Sequence, residues 1–328
     1  MQKKFIIGAD ISKSTIDIHC FGKSGCLTIS NNLKGFKELL KWIKKYLNQK
    51  LNDGIIVMEY TGIYTYNFEN FLHEHKLDYV KRPALDIKRS AGLKRGKTDK
   101  ADAMMISKYG WQRREELQPM KPLSQVQFDL QQLMSYRDKL VADKTSYQSR
   151  LKELKEQMGK KLNAHIVQST QNLMQCLEEE LKQTEAAIKE LTNKNKELKT
   201  NYDLVQSVKG VGFATSVHML IATENFTRFD ARKFACYCGV APFKNESGTS
   251  IRGRTTTSHL ANRKIKSLLT MAAISAIQHD PELKLKYEQK LAQGKAKMVA
   301  LNIIRFKLIT RIFSVIKKQS PYILSEAA

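Results

Sequence analysis

The sequence predicts an α/β domain, then a long antiparallel helical hairpin, then a mainly α domain with a helix-hairpin-helix-like element. Three observations indicate this order. Strand patterns alternate with helix patterns near the start, apolar residues recur every three or four positions in the middle, and the composition changes again from Tyr202. We therefore expect three domains, covering residues 1–118, 119–200 and 201–328.

The first domain alternates strands and helices. The β-rich runs KFIIGADIS and STIDIHCFG predict a strand pair, and FKELLKWIKKYL has the spacing of an amphipathic helix. The apolar run GIIVMEYTG predicts a buried strand that ends at Glu59. A helix through YNFENFLHEH and a short strand in LDYVKR follow, so we expect a mixed sheet.

The second domain carries an apolar stripe along each of two long helical segments, with a break near Gly159. This pattern predicts an antiparallel, coiled-coil-like helix pair. A plain helical linker would show the same stripe. Protein–protein contact and RNA support therefore both stay open as roles for the pair.

The third domain begins with VQSVKGVGFATSVHMLIA, which predicts a helix, a Gly-Val-Gly turn and a second helix. This resembles DNA-binding helix-hairpin-helix units, whose glycines let backbone N–H groups approach a phosphate. A simple helix–helix turn is the alternative. We expect the polar, basic run APFKNESGTSIRGRTTTSHLANRK to be a loop, followed by an amphipathic helix and a basic helical tail.

The charge indicates a polyanionic partner. The chain of 328 residues has a net charge of +24, of which residues 81–114 contribute +8 and residues 201–328 contribute +12. Basic patches of this kind suit nucleic acid, because neutralised phosphates release condensed counterions. Ribosomal, membrane-surface and nucleic-acid-enzyme functions all fit the composition alone.

The cysteines and the hydropathy indicate a cytoplasmic protein. The five cysteines lack the paired spacing of a zinc site, so we expect reduced thiols. The start of the chain has no signal-peptide pattern. No apolar run reaches the ~20 residues that span a bilayer, so no membrane partner is expected.

Two aspartates stand among lysines in KRGKTDKADAMMISKYG. Asp99 and Asp102 follow Thr98, a good helix N-cap, and share one face of the first turn. Spacing alone leaves open that they compensate the helix dipole and pair with Lys97 and Lys100.

Two further acids end predicted strands. Asp10 follows the apolar residues Phe5–Ile7, and Glu59 follows Ile55–Met58. Adjacent strands that end in acids would gather carboxylates at one sheet edge, where they repel one another unless a cation compensates. Phosphodiester chemistry commonly uses two Mg²⁺ ions about 3.5–4 Å apart on such oxygen ligands.

These acids carry a family resemblance. Asp10 in GADISK, Glu59 in EYTGIY, and Asp99 and Asp102 in KTDKADA resemble the Asp-Glu-Asp-Asp set of the Piv/MooV group of DNA invertases and DEDD-type insertion-sequence transposases, the latter known as bridge-RNA-guided recombinases. The resemblance implies an RNase H-like, RuvC-like fold for residues 1–118. It also implies that the four acids are catalytic and bind Mg²⁺, two ions per site.

The resemblance continues in VKGVGFATSVHMLIA, FACYCGVAPFKNESGTSIRGR and NRKIKSLLTMAA. It implies that Ser247, in the family's Pro-x(n)-Ser-Gly segment, is a nucleophile that becomes joined to a DNA 5′ phosphate. Without the resemblance, the neighbouring loop hydroxyls are equal candidates. The chain departs from the family pattern at Ala261, where a glycine is expected, and at His259, where a lysine is expected.

Basic residues, glycines and one asparagine near both sites are the expected nucleic-acid contacts. They are Lys94, Arg95, Lys97, Lys100, Lys209, Gly210, Gly212, Arg252, Arg254, Asn262, Arg263 and Lys264. The implied partners are DNA (element ends and target), a noncoding bridge RNA, and further copies of the chain in a dimer or tetramer.

Other functions compete with a transposase. The closest alternatives are a site-specific DNA invertase and a RuvC-like structure-specific nuclease, neither of which needs a guide RNA. An ATPase or sugar kinase of actin-like fold would need a second glycine-rich phosphate loop, which the sequence lacks. A non-catalytic basic nucleic-acid-binding protein would give the four acids no reason to converge.

Overall fold

The computed structural model describes residues 3–46, 50–90, 92, 98–247 and 251–323. Two compact units divide the chain, Met1–Leu123 and Ser124–Ala328. The division into three domains stays a prediction. Among the helices of the described ranges, none combines the length and the apolar character needed to cross a membrane.

The first unit contains a five-stranded mixed sheet, as the alternation of patterns predicts. Its strands are β1 (Phe5–Ile11), β2 (Thr15–Cys20), β3 (Leu27–Ser30), β4 (Gly54–Glu59) and β5 (Asp78–Arg82). They lie in the order β3-β2-β1-β4-β5. β2 is antiparallel to β1 and β3, whereas β4 is parallel to both β1 and β5.

Helices cover both faces of this sheet because successive residues of each strand point to opposite sides. One face holds Ile7 and Ile56 against α1 (Leu33–Tyr46) and α2 (Tyr66–Glu74). The opposite face holds Ile6 and Val57 against α3 (Ala84–Ser90) and α4 (Asp99–Gln112). Central strands buried on both faces explain the nearly continuous apolar runs of the sequence.

Glycine lets the backbone of α4 touch β1. A methyl group on Gly8 would lie 2.3 Å from the carbonyl oxygen of Ala103 and 2.3 Å from the amide nitrogen of Ser107. A methyl group on Gly110 would lie 2.8 Å from Ile6 and 2.7 Å from Val57. The helix therefore runs antiparallel to β1, with its first turn over the C-terminal end of that strand.

The second unit begins with the predicted pair of long helices, α5 (Gln125–Met158) and α6 (Ala164–Lys194). Gly159 ends α5 with φ of 52°, at the predicted break. Ion pairs join Arg137 to Glu185 at 2.7 Å and Lys144 to Glu178 at 3.1 Å. Because later residues of α5 meet earlier residues of α6, the two helices are antiparallel.

Six further helices follow in the described part of the second unit. They are α7 (Lys196–Ser207), α8 (Phe213–Ala222), α9 (Ala231–Tyr237), α10 (Arg263–His279), α11 (Pro281–Ala292) and α12 (Lys297–Lys318). Their apolar faces share one core, in which Val205, Phe234, Leu269 and Ile309 are fully buried. The predicted helix, Gly-Val-Gly turn and helix correspond to α7 and α8.

One expectation about the second unit is wrong. The basic segment after Ala241 contains an antiparallel strand pair, β6 (Pro242–Ser247) and β7 (Ile251–Thr257), where the sequence predicts a loop. The apolar Phe243 and the polar Thr255 are both exposed. The strands therefore lack the alternation of buried apolar and exposed polar residues by which a strand is predicted from sequence. Only the β-branched run Thr255–Thr257 indicates a strand.

We predict that Gly8→Ala lowers the free energy of unfolding by about 1–3 kcal/mol, because the added methyl group forces α4 away from the sheet. Denaturant unfolding monitored by circular dichroism measures this change. Met104→Ala is the matched control, since Met104 lies on the same helix and is 43% exposed. Equal stability of Gly8→Ala and the unaltered protein would contradict the close contact.

Candidate metal centre

Strand register brings two of the predicted acids together. Asp10 and Glu59 each follow the parallel pair Ala9–Met58 by one residue. Asp10 comes two residues after Gly8 and Glu59 two residues after Val57. Because residues two apart on a strand point to the same face, both acids lie on the face of the sheet that α4 covers. Neighbouring strands lie about 4.8 Å apart, so the two carboxylates start from adjacent backbone positions.

The first turn of α4 supplies the other two acids. Thr98 caps this helix as predicted, because its Oγ1 accepts a hydrogen bond from the Ala101 amide at 3.2 Å. The antiparallel course of α4 carries Asp99 and Asp102 over the end of β1, where Asp10 lies. No described lysine or arginine forms a salt bridge with Asp99 or Asp102. Neither carboxylate is therefore engaged in an ion pair with a described residue, and both could bind a cation.

The electrostatics of Asp10 record this convergence. Burial makes the largest contribution and the negative charges of Asp102, Asp99, Glu59 and Asp17 follow in that order, and together they raise the pKa of the Asp10 carboxyl to about 6. Each of these acids therefore contributes to the potential at one carboxyl group. Such a cluster lacks positive charge of its own at neutral pH.

A fifth acid, Asp17, lies beside this cluster and was missed by the sequence analysis. It pairs directly with Asp10 across β1 and β2 and is only 7% exposed. Its Oδ1 accepts a hydrogen bond from Thr28 Oγ1 at 2.5 Å. The alternation of Ile16, Asp17 and Ile18 shows which face Asp17 occupies, but only the register of the hairpin places it opposite Asp10.

The donor set fits a hard divalent cation. Carboxylate oxygens are the ligands that Mg²⁺ prefers, and the raised pKa of Asp10 marks a deficit of positive charge that a cation would remove. Among the described residues, no three His, Cys, Asp or Glu side chains already lie close enough to hold a metal ion.

The predicted nucleophile lies in the second unit. Ser247 is the last residue of β6, and its backbone pairs with Ile251 at the start of β7. The neighbouring Gly248, Thr249 and Ser250 lie outside the described residues. The strand pair therefore presents Ser247 at the end opposite to Pro242 and Thr257.

The predicted nucleic-acid contacts fall into three groups. Lys94, Arg95 and Lys97 lie outside the described residues, and of Arg252 and Arg254 only the positions in β7 are described. The exposed members are Lys100, Lys209, Arg263 and Lys264, and Lys264 lies 2.9 Å from Asp138.

The remaining predicted contacts have structural neighbours. A methyl group on Gly210 would lie 2.5 Å from the Ala272 carbonyl oxygen, so this glycine permits the turn between α7 and α8 to pack closely on α10. Asn262 caps α10 and donates a hydrogen bond to the Tyr237 hydroxyl at 2.9 Å. Gly212, at the start of α8, has open space around it. Of these three, only Gly212 leaves its backbone accessible to a phosphate.

Comparison with known protein families yields two matches. Residues 7–160 match the model of DEDD transposases of the IS110 type, described as a transposase. Residues 202–288 match a model described as the transposase IS116/IS110/IS902 family. The first match includes all four acids, and the second includes Ser247.

Curated relatives agree with these matches. The pilin gene-inverting protein of Moraxella bovis is 26% identical over 331 residues, which cover 98% of this chain and 98% of that protein. The protein of the same name from Moraxella lacunata has the same identity and coverage. An uncharacterized 43.6 kDa protein of insertion element IS110 from Streptomyces coelicolor is 29% identical over 120 residues, or 36% of this chain and 29% of that protein.

We predict that Asp10→Asn stabilises the fold at pH 8 without divalent cations. The folded-state pKa of Asp10 is raised to about 6, so the ionised carboxylate destabilises the folded state above that pH. Discounted for partial exposure, the gain is roughly 1–2 kcal/mol. It should shrink as the pH falls from 6 towards 4, because the protonated aspartic acid no longer repels its neighbours.

Chemical unfolding at pH 8, 6 and 4.5 measures this difference. Asp53→Asn is the control, because a hydrogen bond from Lys4 lowers the pKa of Asp53 and its removal should give no gain. An Asp10→Asn variant less stable than the unaltered protein at pH 8 would show that the acids do not converge.

Proposed function

Since this chain belongs to the IS116/IS110/IS902 family of transposases, which are enzymes that act on DNA, we propose that it is a recombinase with a Mg²⁺-binding acidic centre and a serine nucleophile. The observation that carries the proposal is the convergence of Asp99 and Asp102, on the first turn of α4, with Asp10 and Glu59 at the strand ends. The mixed sheet with helices on both faces supports the RNase H-like fold that the resemblance implies.

In this proposal the acids hold two Mg²⁺ ions. A bound ion of this kind would polarise the scissile phosphodiester and stabilise the charge that develops on its oxygens. Asp10 and Glu59 provide ligands on rigid strands, and Asp99 and Asp102 provide ligands on a capped helix. The partial positive charge at the start of α4 attracts negatively charged groups in its first turn.

The serine chemistry is a transesterification. The Ser247 Oγ forms a bond to phosphorus as the bond from phosphorus to the 3′ oxygen breaks. The hydroxyl proton passes to water, and the 3′ oxygen leaves and takes up a proton. The products are a 5′-phosphoserine and a free 3′-OH. Attack of a 3′-OH on the phosphoserine then rejoins the strands and releases the serine.

The proposed partners follow from charge and family. The exposed residues Lys209 and Arg263 and the net charge of +12 on residues 201–328 support contact with DNA at the element ends and the target. We also propose a noncoding bridge RNA that selects the target, and a dimer or tetramer of this chain.

A site-specific DNA invertase is the second candidate function. The full-length similarity to two pilin gene-inverting proteins favours it. Inversion and transposition use the same cutting and rejoining steps, so the acids and Ser247 keep their proposed roles. The two functions differ in whether the chain acts on a mobile element or a fixed segment, and in the need for a guide RNA.

We predict that Asp102→Asn and Ser247→Ala each reduce recombination at least a hundredfold. Sequencing of new DNA junctions, in a bacterial host that carries the gene with its native flanks, counts excised circles, insertions and inversions. Asp86→Asn and Thr255→Ala are matched controls, since both side chains are exposed and outside the proposed site. Junctions that persist in Ser247→Ala would remove this serine as the nucleophile and leave a RuvC-like role for the acids.

We predict that deletion of the noncoding flank abolishes junction formation when the protein is expressed from a separate plasmid. Supplying that flank as a transcript in trans should restore the junctions, because the RNA and not the DNA would be the missing component. Junction counts that are independent of the transcript, with inversion of a neighbouring segment, would favour the invertase.

A further inference from the structure

The second unit contains a buried arginine that has no anionic partner among the described residues. Arg305 on α12 is 3% exposed. Its Nη1 donates a hydrogen bond to Asn302 Oδ1 at 3.2 Å, whereas its Nε has no hydrogen-bond partner. No described carboxylate forms a salt bridge with it. A buried guanidinium is usually paired, because removing an ion from water is strongly unfavourable.

A second cation lies beside Arg305. Lys266 on α10 is half-buried, and among the described residues its Nζ has only a long hydrogen bond of 3.4 Å to Thr257 Oγ1. Burial lowers the pKa of Lys266, and the charge of Arg305 lowers it further. Burial also lowers the pKa of Arg305. Two positive charges thus lie near each other, and no described acid pairs with either of them.

The backbone around these cations is closely packed. Gly239 has φ of +63°, and a methyl group there would lie 2.4 Å from Ala261 Cβ and 3.6 Å from Lys266 Nζ. Asn302 Nδ2 donates a hydrogen bond to the Val240 carbonyl oxygen at 2.7 Å. Asn302 therefore links Arg305 to the backbone that leads into β6, and this arrangement holds the guanidinium in place.

Arg311, on the same helix as Arg305, is a buried arginine with anionic partners. Its side chain is 11% exposed. It pairs with Asp280 at 2.6 Å and also with Glu282. The contrast with Arg305 indicates that the missing anion at Arg305 comes from outside the described chain.

We propose that Arg305 and Lys266 bind a phosphodiester group of DNA at the base of the β6–β7 strand pair. The planar guanidinium and the ammonium group both suit phosphate oxygens, and the enzyme acts on DNA. The strand pair is roughly 15–20 Å long, so the phosphate at its base differs from one at the Ser247 end. The site requires only that the chain binds DNA, and not that Ser247 or the acids act as proposed.

The test uses the full chain in EDTA, where no strand is cut. Fluorescence anisotropy with a labelled 30-base-pair duplex measures affinity across a series of salt concentrations. We expect Arg305→Met and Lys266→Gln each to weaken binding about tenfold and to reduce the salt slope by about one, as expected for one lost phosphate contact. Lys297→Gln is the charge-matched control, since Lys297 is exposed on the same helix, and it should change affinity less than twofold.

Thermal unfolding without DNA provides a second, independent readout. Arg305→Met should keep or raise the midpoint, because it removes an unpaired buried charge. Arg311→Met should lower the midpoint, because it leaves Asp280 and Glu282 unpaired. A fall for Arg305→Met similar to that for Arg311→Met, or a failure of Arg305→Met to fold, would assign Arg305 a structural role and overturn the proposal.

The source of the anion is decided by a further comparison. If inorganic phosphate raises the midpoint of the unaltered protein but not of Arg305→Met, while both bind DNA equally, the site takes free phosphate and the DNA assignment is wrong. Equal DNA affinity of Lys266→Gln and the unaltered protein would also contradict the proposal, even if Arg305→Met cannot be prepared.

Discussion

The close approach of α4 to β1 at Gly8 is the constraint on which the first unit depends. The helix backbone lies against the strand backbone, so no side chain at this position can separate them. Gly110 permits a similarly close approach to Ile6 of β1 and Val57 of β4. These two contacts fix the distance of α4 from the sheet and its direction. They thereby fix the position of its acidic first turn over the strand ends.

Like charges lie together in both units. In the first unit, carboxylates raise the pKa of Asp10, and in the second unit Arg305 lowers the pKa of Lys266. Such arrangements weaken a fold, and natural proteins keep them where a ligand supplies the opposite charge. A cation suits the first cluster and a phosphate suits the second, and both belong to the chemistry of an enzyme that acts on DNA.

A buried carboxylate elsewhere in the first unit is fully paired. Glu69, which is 3% exposed, accepts hydrogen bonds from Thr65, Tyr79 and Lys81. Its side chain is thus neutralised inside the first unit, with no role left for an outside ligand. Asp10 and Arg305 have no oppositely charged partner among the described residues, and in this they differ from Glu69.

The sequence by itself determined the features that depend on local periodicity. Alternation places Asp10 and Glu59 at strand ends, Thr98 begins a helix as its N-cap, and Gly159 separates two long helices. The acidic quartet could be assembled from these local signals, because parallel strands end at a common edge and a cap fixes where a helix begins. Each signal lies within a few residues of the group it positions.

Only the tertiary structure decided which groups meet across the chain. Asp17 joins the acids through the register of β1 and β2, and Gly210 serves the packing of α10. The β6–β7 pair was not predicted because its described side chains are exposed, apart from the partly buried Thr257, so no burial pattern marks it. Whether Arg305 has an anionic partner is likewise invisible in the sequence, since its charge acts on Lys266 of α10, which is distant along the chain. A residue's local pattern specifies the face it occupies, whereas its partners depend on how distant elements pack.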